Sequence, residues 1–280
     1  IVGAPLPSSP LGRNAARNGR VLIVVSPAKA LDYESPLPTK KFSVPDMLDD
    51  TRQLVSVMAG KSPDDLATMM SISPSLAELN FERFQDWEPP VEPGHARPAV
   101  LAFNGDTYQG LDAAASFGER DFTHAQKVLR ILSGLHGVLR PLDLIHPYRL
   151  EMGSKVRTDR GDDLYSFWGD RISDRLNADL AASPGAKVLV NLASAEYFGA
   201  VRPEQIDGRV VTPKFLDAKG DGDFKMIAFF AKRARGAMAG WIVRERITAV
   251  SKLTEFDAAG YRFDGGRSTP DEPVFSRRSD

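Results

Sequence analysis

Val21-Leu22-Ile23-Val24-Val25-Ser26-Pro27-Ala28-Lys29 is the stretch that decides the fold class. Five apolar residues in a row, mostly β-branched, read as a strand buried on both faces, the kind found in the sheet of an α/β protein. Ser26-Pro27 ends the run. A lysine directly after a buried strand has few purely structural uses, so Lys29 becomes a candidate site residue.

Further strands are expected at 99–103, 187–191, 209–216 and 224–230, with hinges at Gly220 and Gly222 and an edge strand at 272–277. Helices alternate with them. Three are expected between Val44 and Glu92, where Ser62-Pro63 and Ser73-Pro74 each place a capping hydroxyl before a helix-opening proline. Pro45 opens the first of the three in the same manner and Gly60 closes it. Apolar stripes then predict helices over 121–132, 162–180 and 231–247. This alternation implies one α/β domain over 21–280, α+β being the alternative, with a central mixed sheet flanked by helices. Residues 1–20, rich in Pro and Gly and starting on Ile, read as a disordered or vector-derived tail.

The chain has 280 residues, 42% hydrophobic and 26% charged, and carries a formal charge of -1. It contains no cysteine, which excludes disulfides, thiolate catalysis, Cys-zinc sites and cysteine-ligated iron–sulfur clusters, and fits a reducing cytoplasm. The longest apolar runs fall far short of the roughly 20 residues of a membrane span, so no membrane partner is expected. His95, His124, His136 and His146 are scattered, and no cofactor or bound metal is expected. The charge is uneven. Acids dominate residues 44–92, while between 225 and 246 the bases Lys225, Lys232, Arg233, Arg235, Arg244 and Arg246 face Glu245 alone. Walker A, HExxH and GxSxG motifs are absent, as is GxGxxG after the first strand.

Three expected strands end in polar turns: Ser26-Pro27-Ala28-Lys29, Asn104-Gly105-Asp106 and Asn191-Leu192-Ala193-Ser194. In open α/β sheets ligands lie outside the carboxyl ends of the strands. Ser26, Asn104, Asn191 and Ser194 are therefore candidate pocket residues. Lys29, Asp106 and Glu151 are candidates for chemistry, and the same residues would otherwise be ordinary turn formers. Lys232, Arg233 and Arg235 are expected in the first turn of the last helix, where cations are disfavoured unless an anion such as phosphate completes the site. Lys29, Arg149 and these bases should line one basic cleft. Arg130 and Arg140 flank a Gly134-Leu135-His136-Gly137 turn that loosely matches a helix–hairpin–helix element.

Several of these segments resemble the YaaA family of bacterial peroxide-stress proteins. Ser26-Pro27-Ala28-Lys29-Ala30-Leu31-Asp32, Phe103-Asn104-Gly105-Asp106-Thr107-Tyr108-Gln109-Gly110 and Leu132-Ser133-Gly134-Leu135-His136-Gly137-Val138-Leu139-Arg140-Pro141 carry the likeness. So do Pro147-Tyr148-Arg149-Leu150-Glu151, Asn191-Leu192-Ala193-Ser194-Ala195-Glu196-Tyr197-Phe198 and Ala231-Lys232-Arg233-Ala234-Arg235-Gly236. The family often has Tyr where His136 stands here. The resemblance implies a role in surviving hydrogen peroxide by keeping free iron low and limiting damage to DNA. It also implies DNA binding through a positively charged cleft and a helix–hairpin–helix-like element. The lack of Cys argues against iron storage.

Two kinds of function stay open. One is non-catalytic DNA binding, mainly through phosphates. The other is an enzyme acting on a nucleobase, nucleotide or nucleic acid, with Lys29 as nucleophile or phosphate clamp and Asp106 or Glu151 as acid/base. Either admits a nucleotide-like ligand.

Overall fold

The computed structural model describes residues 21–90, 92–182 and 187–279. The expected tail at 1–20 lies outside the described residues. In chain order the elements are β1 (Val21–Val25), α1 (Leu48–Ala59), α2 (Pro63–Met70), α3 (Pro74–Gln85), β2 (Arg97–Pro98) and α4 (Ala99–Ala102). There follow α5 (Asp106–Leu111), α6 (Ala113–Ser116), α7 (Glu119–Val128), β3 (Leu129–Ser133), β4 (Gly137–Leu139) and β5 (Leu144–Ile145). Next come α8 (Leu164–Trp168), α9 (Arg171–Ala182), β6 (Val188–Leu192), α10 (Ala195–Phe198), β7 (Arg209–Val211) and β8 (Lys214–Lys219). The last are α11 (Ala228–Arg244), β9 (Arg262–Phe263) and β10 (Val274–Ser279).

The fold is α/β. Its central sheet is mixed and runs β4-β3-β1-β6-β7, with β1 parallel to both β3 and β6, β7 parallel to β6, and β4 antiparallel to β3. All five residues of β1 are buried, as expected of the middle strand of a sheet covered on both faces. From β1 the chain builds outward through β3 and β4 on one side, then returns to build β6 and β7 on the other. The reversal makes the β1/β6 boundary a topological switch point, where the loops leaving the two strands part and open a crevice. Helices α7 and α11 pack against β1, and β10 lies between β8 and β9 in a second, three-stranded sheet.

The three helices over 44–92 form as expected. Ser62 caps α2 in a reciprocal box with Asp65, and Ser73 caps α3. Gly60 closes α1, which begins at Leu48, after Pro45.

Several expectations are corrected. Residues 99–103 begin as the helical turn α4. Apolar run length cannot separate a buried turn from a strand, and here Ala99 and Val100 N–H donate to the Asp143 and Pro141 carbonyls instead of to a ladder. The helix expected over 121–132 stops at Val128 and passes directly into β3. The Gly134–Gly137 turn therefore joins two strands and is not a helix–hairpin–helix. Its glycines serve packing: Gly137 has φ +64, and a Cβ on Gly134 would lie 2.4 Å from the Leu150 carbonyl oxygen. The 162–180 helix is broken at Gly169, φ +52. Residues 224–230 do not form a strand; α11 starts at Ala228, so Lys232, Arg233 and Arg235 sit past its first turn and the helix dipole does not penalise them. Residues 209–216 divide at Pro213 between the two sheets, and 272–277 falls in the middle strand of the smaller one.

Candidate functional site

Strand register builds the site. Val25 is level with Leu192 across the parallel β1/β6 pair, so the residues that follow each strand emerge side by side. The Ser194 N–H donates to the Ser26 hydroxyl at 2.8 Å, and the Ser26 hydroxyl donates to Ser194 Oγ at 3.2 Å. Ser194 also caps α10, accepting from the Tyr197 N–H. Tyr108 OH donates to the Ser26 carbonyl at 3.1 Å, tying α5 to the end of β1. The Asn104 N–H donates to the Ala30 carbonyl, which sets the 104–106 turn beside the 26–29 turn even though a helix precedes it.

The opposite wall comes from α11, held against α5 by glycine. A Cβ on Gly236 would lie 1.7 Å from the Thr107 carbonyl oxygen, and one on Gly110 would lie 2.0 Å from that of Arg233. Only backbone fits between these helices, and the contact brings Asp106, at the start of α5, close to Lys232 and Arg235.

The result is a cleft of about 500 Å³. Of the expected residues, Ser26, Lys29, Asn104, Asp106, Glu151, Ser194, Lys232 and Arg235 line it. Glu151 is shared: Lys29 Nζ lies 2.8 Å from one carboxylate oxygen, and the Arg149 guanidinium donates to the other at 3.0 and 3.2 Å. Arg149 thus touches the cleft through Glu151. Glu196, on the facing side, accepts from the Gly153 N–H at 3.0 Å. Burial alone pushes the Arg235 pKa down, and no carboxylate among the described residues lies within ion-pair distance of it.

Other expected residues lie elsewhere. Asn191 is buried under the neighbouring cavity, its Oδ1 accepting from the Ala193 N–H at 3.0 Å. Arg233 is exposed on α11 outside the cleft. Two of the expected phosphate ligands are corrected. Arg130, only 4% exposed, donates through Nε to Asp179 at 2.6 Å and through Nη1 to the Gln126 and Leu129 carbonyls, so it is held inside the protein. Arg140 is engaged by Asp143, Asp46 and the Val44 carbonyl. Sequence reasoning missed Thr107, Glu196, Tyr197 and the glycine contact. The Gly236-x-x-x-Gly240 spacing on a helix was the available signal for the last.

The family model described as peroxide stress protein YaaA matches residues 21–266. The chain belongs to this family. The match spans the central sheet and every residue lining the cleft, and it makes this a peroxide stress response protein. Among the described residues no three His, Cys, Asp or Glu side chains gather in a group able to hold a metal ion. No helix among them is long and apolar enough to cross a membrane.

Proposed function

We propose that the strand-end cleft binds a phosphate-bearing, nucleotide-like ligand as part of the response to peroxide. The observation that carries this reading is the split polarity of the cleft. Lys232 and Arg235 on α11 lack carboxylate partners among the described residues, while Asp106, Glu151 and Glu196 occupy the other walls. A purely anionic ligand would meet three carboxylates, and a purely cationic one would meet two unpaired bases. A nucleotide carries both demands: its phosphate suits Lys232 and Arg235, and its ribose and base donors suit Asp106, Asn104 and the Ser26–Ser194 pair. The volume lies in the range of small-molecule sites. As half of an ion pair with Glu151, Lys29 serves as a cationic clamp more readily than as a free amine nucleophile.

The test is a titration with fluorescently labelled adenosine monophosphate. Saturable binding is expected, weakened about tenfold by Lys232→Ala, the worth of one charge-assisted hydrogen bond. An affinity unchanged by Lys232→Ala, or no binding, would remove the reading.

A second reading is favoured by one observation: Lys232 and Arg233 are adjacent, exposed and free of ion pairs among the described residues. They offer DNA phosphates a short outer track beside the cleft. In this reading the protein limits iron-dependent damage by occupying DNA in the cytoplasm, with no iron held by the protein itself. Since Arg130 and Arg140 are committed internally, the track is short and its contacts position without reading bases.

A further inference from the structure

A second cavity, of about 760 Å³, backs onto the cleft and shares Ala195 and Arg235 with it. Its character is different. Phe198, Val201, Pro213, Leu216 and Met226 are among its apolar lining. The polar groups there are largely accounted for: Asn191 Nδ2 faces Thr212 Oγ1, Arg202 pairs with Asp170, and Lys214 pairs with Glu272 at 2.6 Å. Glu204 is exposed to water at the rim, where its field is screened. The exception is Arg235. Its side chain is half-buried between the two cavities, and its one polar partner among the described residues is the Met226 thioether, 3.8 Å away. A sulfur atom is a weak acceptor and compensates little of the cost of desolvating a cation. Met226 is itself 60% exposed, and its unbranched side chain can swing aside.

We propose that this cavity is a separate binding compartment for an organic anion with a flat apolar body, the body lying against Leu216 and Phe198 and the charged end meeting Arg235. Charge complementarity selects the occupant. An uncharged apolar molecule would leave Arg235 uncompensated, and a bare inorganic anion would leave the apolar wall uncovered. The proposal goes beyond the nucleotide reading: the two compartments share Arg235, but Lys232, Asp106 and the serine pair take no part in this one, so it stands without a bound nucleotide.

The probe is 1-anilinonaphthalene-8-sulfonate, which carries both features and reports burial by fluorescence. The folded wild-type protein should bind one equivalent saturably. N-phenyl-1-naphthylamine, nearly the same apolar body without the sulfonate, should bind at least tenfold more weakly, a comparison that needs no variant. Arg235→Gln should weaken the sulfonate about tenfold and leave the amine unaffected. Leu216→Trp, at a half-buried strand position, should fill the compartment and abolish binding of both while leaving the labelled nucleotide titration unchanged. Equal affinity for the two probes, or sulfonate binding that survives Arg235→Gln, would overturn the anion clamp. Binding that survives Leu216→Trp would place the probe elsewhere, such as on exposed Phe229 and Phe230, and overturn the compartment. Loss of nucleotide binding alone would leave this proposal standing.

Discussion

Arg130 and Arg235 are the same residue type in segments that both look basic, yet one closes a buried network with Asp179 and the other lacks a carboxylate at the wall of two cavities. Which fate an arginine meets depends on residues distant in sequence, here Asp179, and so was not legible from the local pattern. His136 shows the same limit. It is fully buried in the turn between β3 and β4, with Nδ1 3.3 Å from the Thr51 hydroxyl and Nε2 without a hydrogen-bond partner among the described residues. Burial, with a smaller contribution from the charge of His146, pushes its pKa down to about 3. The unfolded chain takes up a proton at this histidine below about pH 6.5, whereas the folded protein does so only near pH 3. The unfolded state therefore binds more protons in that window, and stability falls as pH drops through it. The expected loss from His136 is about 1.4 kcal/mol per pH unit, or roughly 2 kcal/mol between pH 6 and 4.5. Urea unfolding across this range should show that slope, and His136→Phe should remove about one proton's worth of it. Identical slopes in the two proteins would show that His136 is hydrated or protonated in the folded state.

At the scale of elements, the capped helices and the runs that form β1 and β6 were legible, while the buried runs at 99–103 and 129–132 were not. Ser62-Pro63 and Ser73-Pro74 carry their own local chemistry, so α2 and α3 begin where the sequence says. Leu129-Arg130-Ile131-Leu132 continues the helical stripe of Phe122, Ala125 and Val128 by coincidence, and only pairing with β1 turns it into a strand. The α5–α11 contact is the element-level feature on which the cleft depends. Gly236→Ala would put a methyl group 1.7 Å from the Thr107 carbonyl oxygen, and neither backbone can yield cheaply. A loss of about 1–3 kcal/mol is expected from such overpacking, with weaker nucleotide binding because Asp106 and Lys232 move apart. Gly94→Ala, whose new methyl group would meet nothing within 4 Å, is the control and should leave both thermal unfolding and binding as in the wild type. Full stability and affinity in Gly236→Ala would show that the helices are not in backbone contact.

At the scale of the whole molecule, the position of the site was readable before the sheet order was. Polar turns after apolar runs named Ser26, Lys29, Asn104, Asp106 and Ser194; the parallel β1/β6 pair brings the first, second and last together, and the Asn104 N–H bond to the Ala30 carbonyl sets the other two beside them. The order β4-β3-β1-β6-β7 was not readable, because strand pairing is a long-range property. Asn191 went astray for that reason: it lies within β6 under the second cavity, not past the end of the strand. The global charge pattern bears on the DNA reading. With Arg130 and Arg140 withdrawn, the outer track rests on Lys232 and Arg233, aided by Arg235. Fluorescence anisotropy with duplex DNA should then give a log–log salt slope of magnitude about 2–3, near 0.9 per phosphate neutralised. Replacing the three bases together should flatten it nearly to zero. A steep slope that survives the triple replacement would put DNA on another face.

In the proposed function, one cleft at the carboxyl ends of β1 and β6 and against α11 receives the phosphate of a nucleotide-like ligand. A crystal structure with bound adenosine monophosphate tests it most directly. Phosphate oxygens are expected within hydrogen-bond distance of Lys232 and Arg235, with the ribose or base toward Asp106, Asn104 and the Ser26–Ser194 pair. A phosphate found away from α11, or a nucleotide bound outside the cleft, would contradict it.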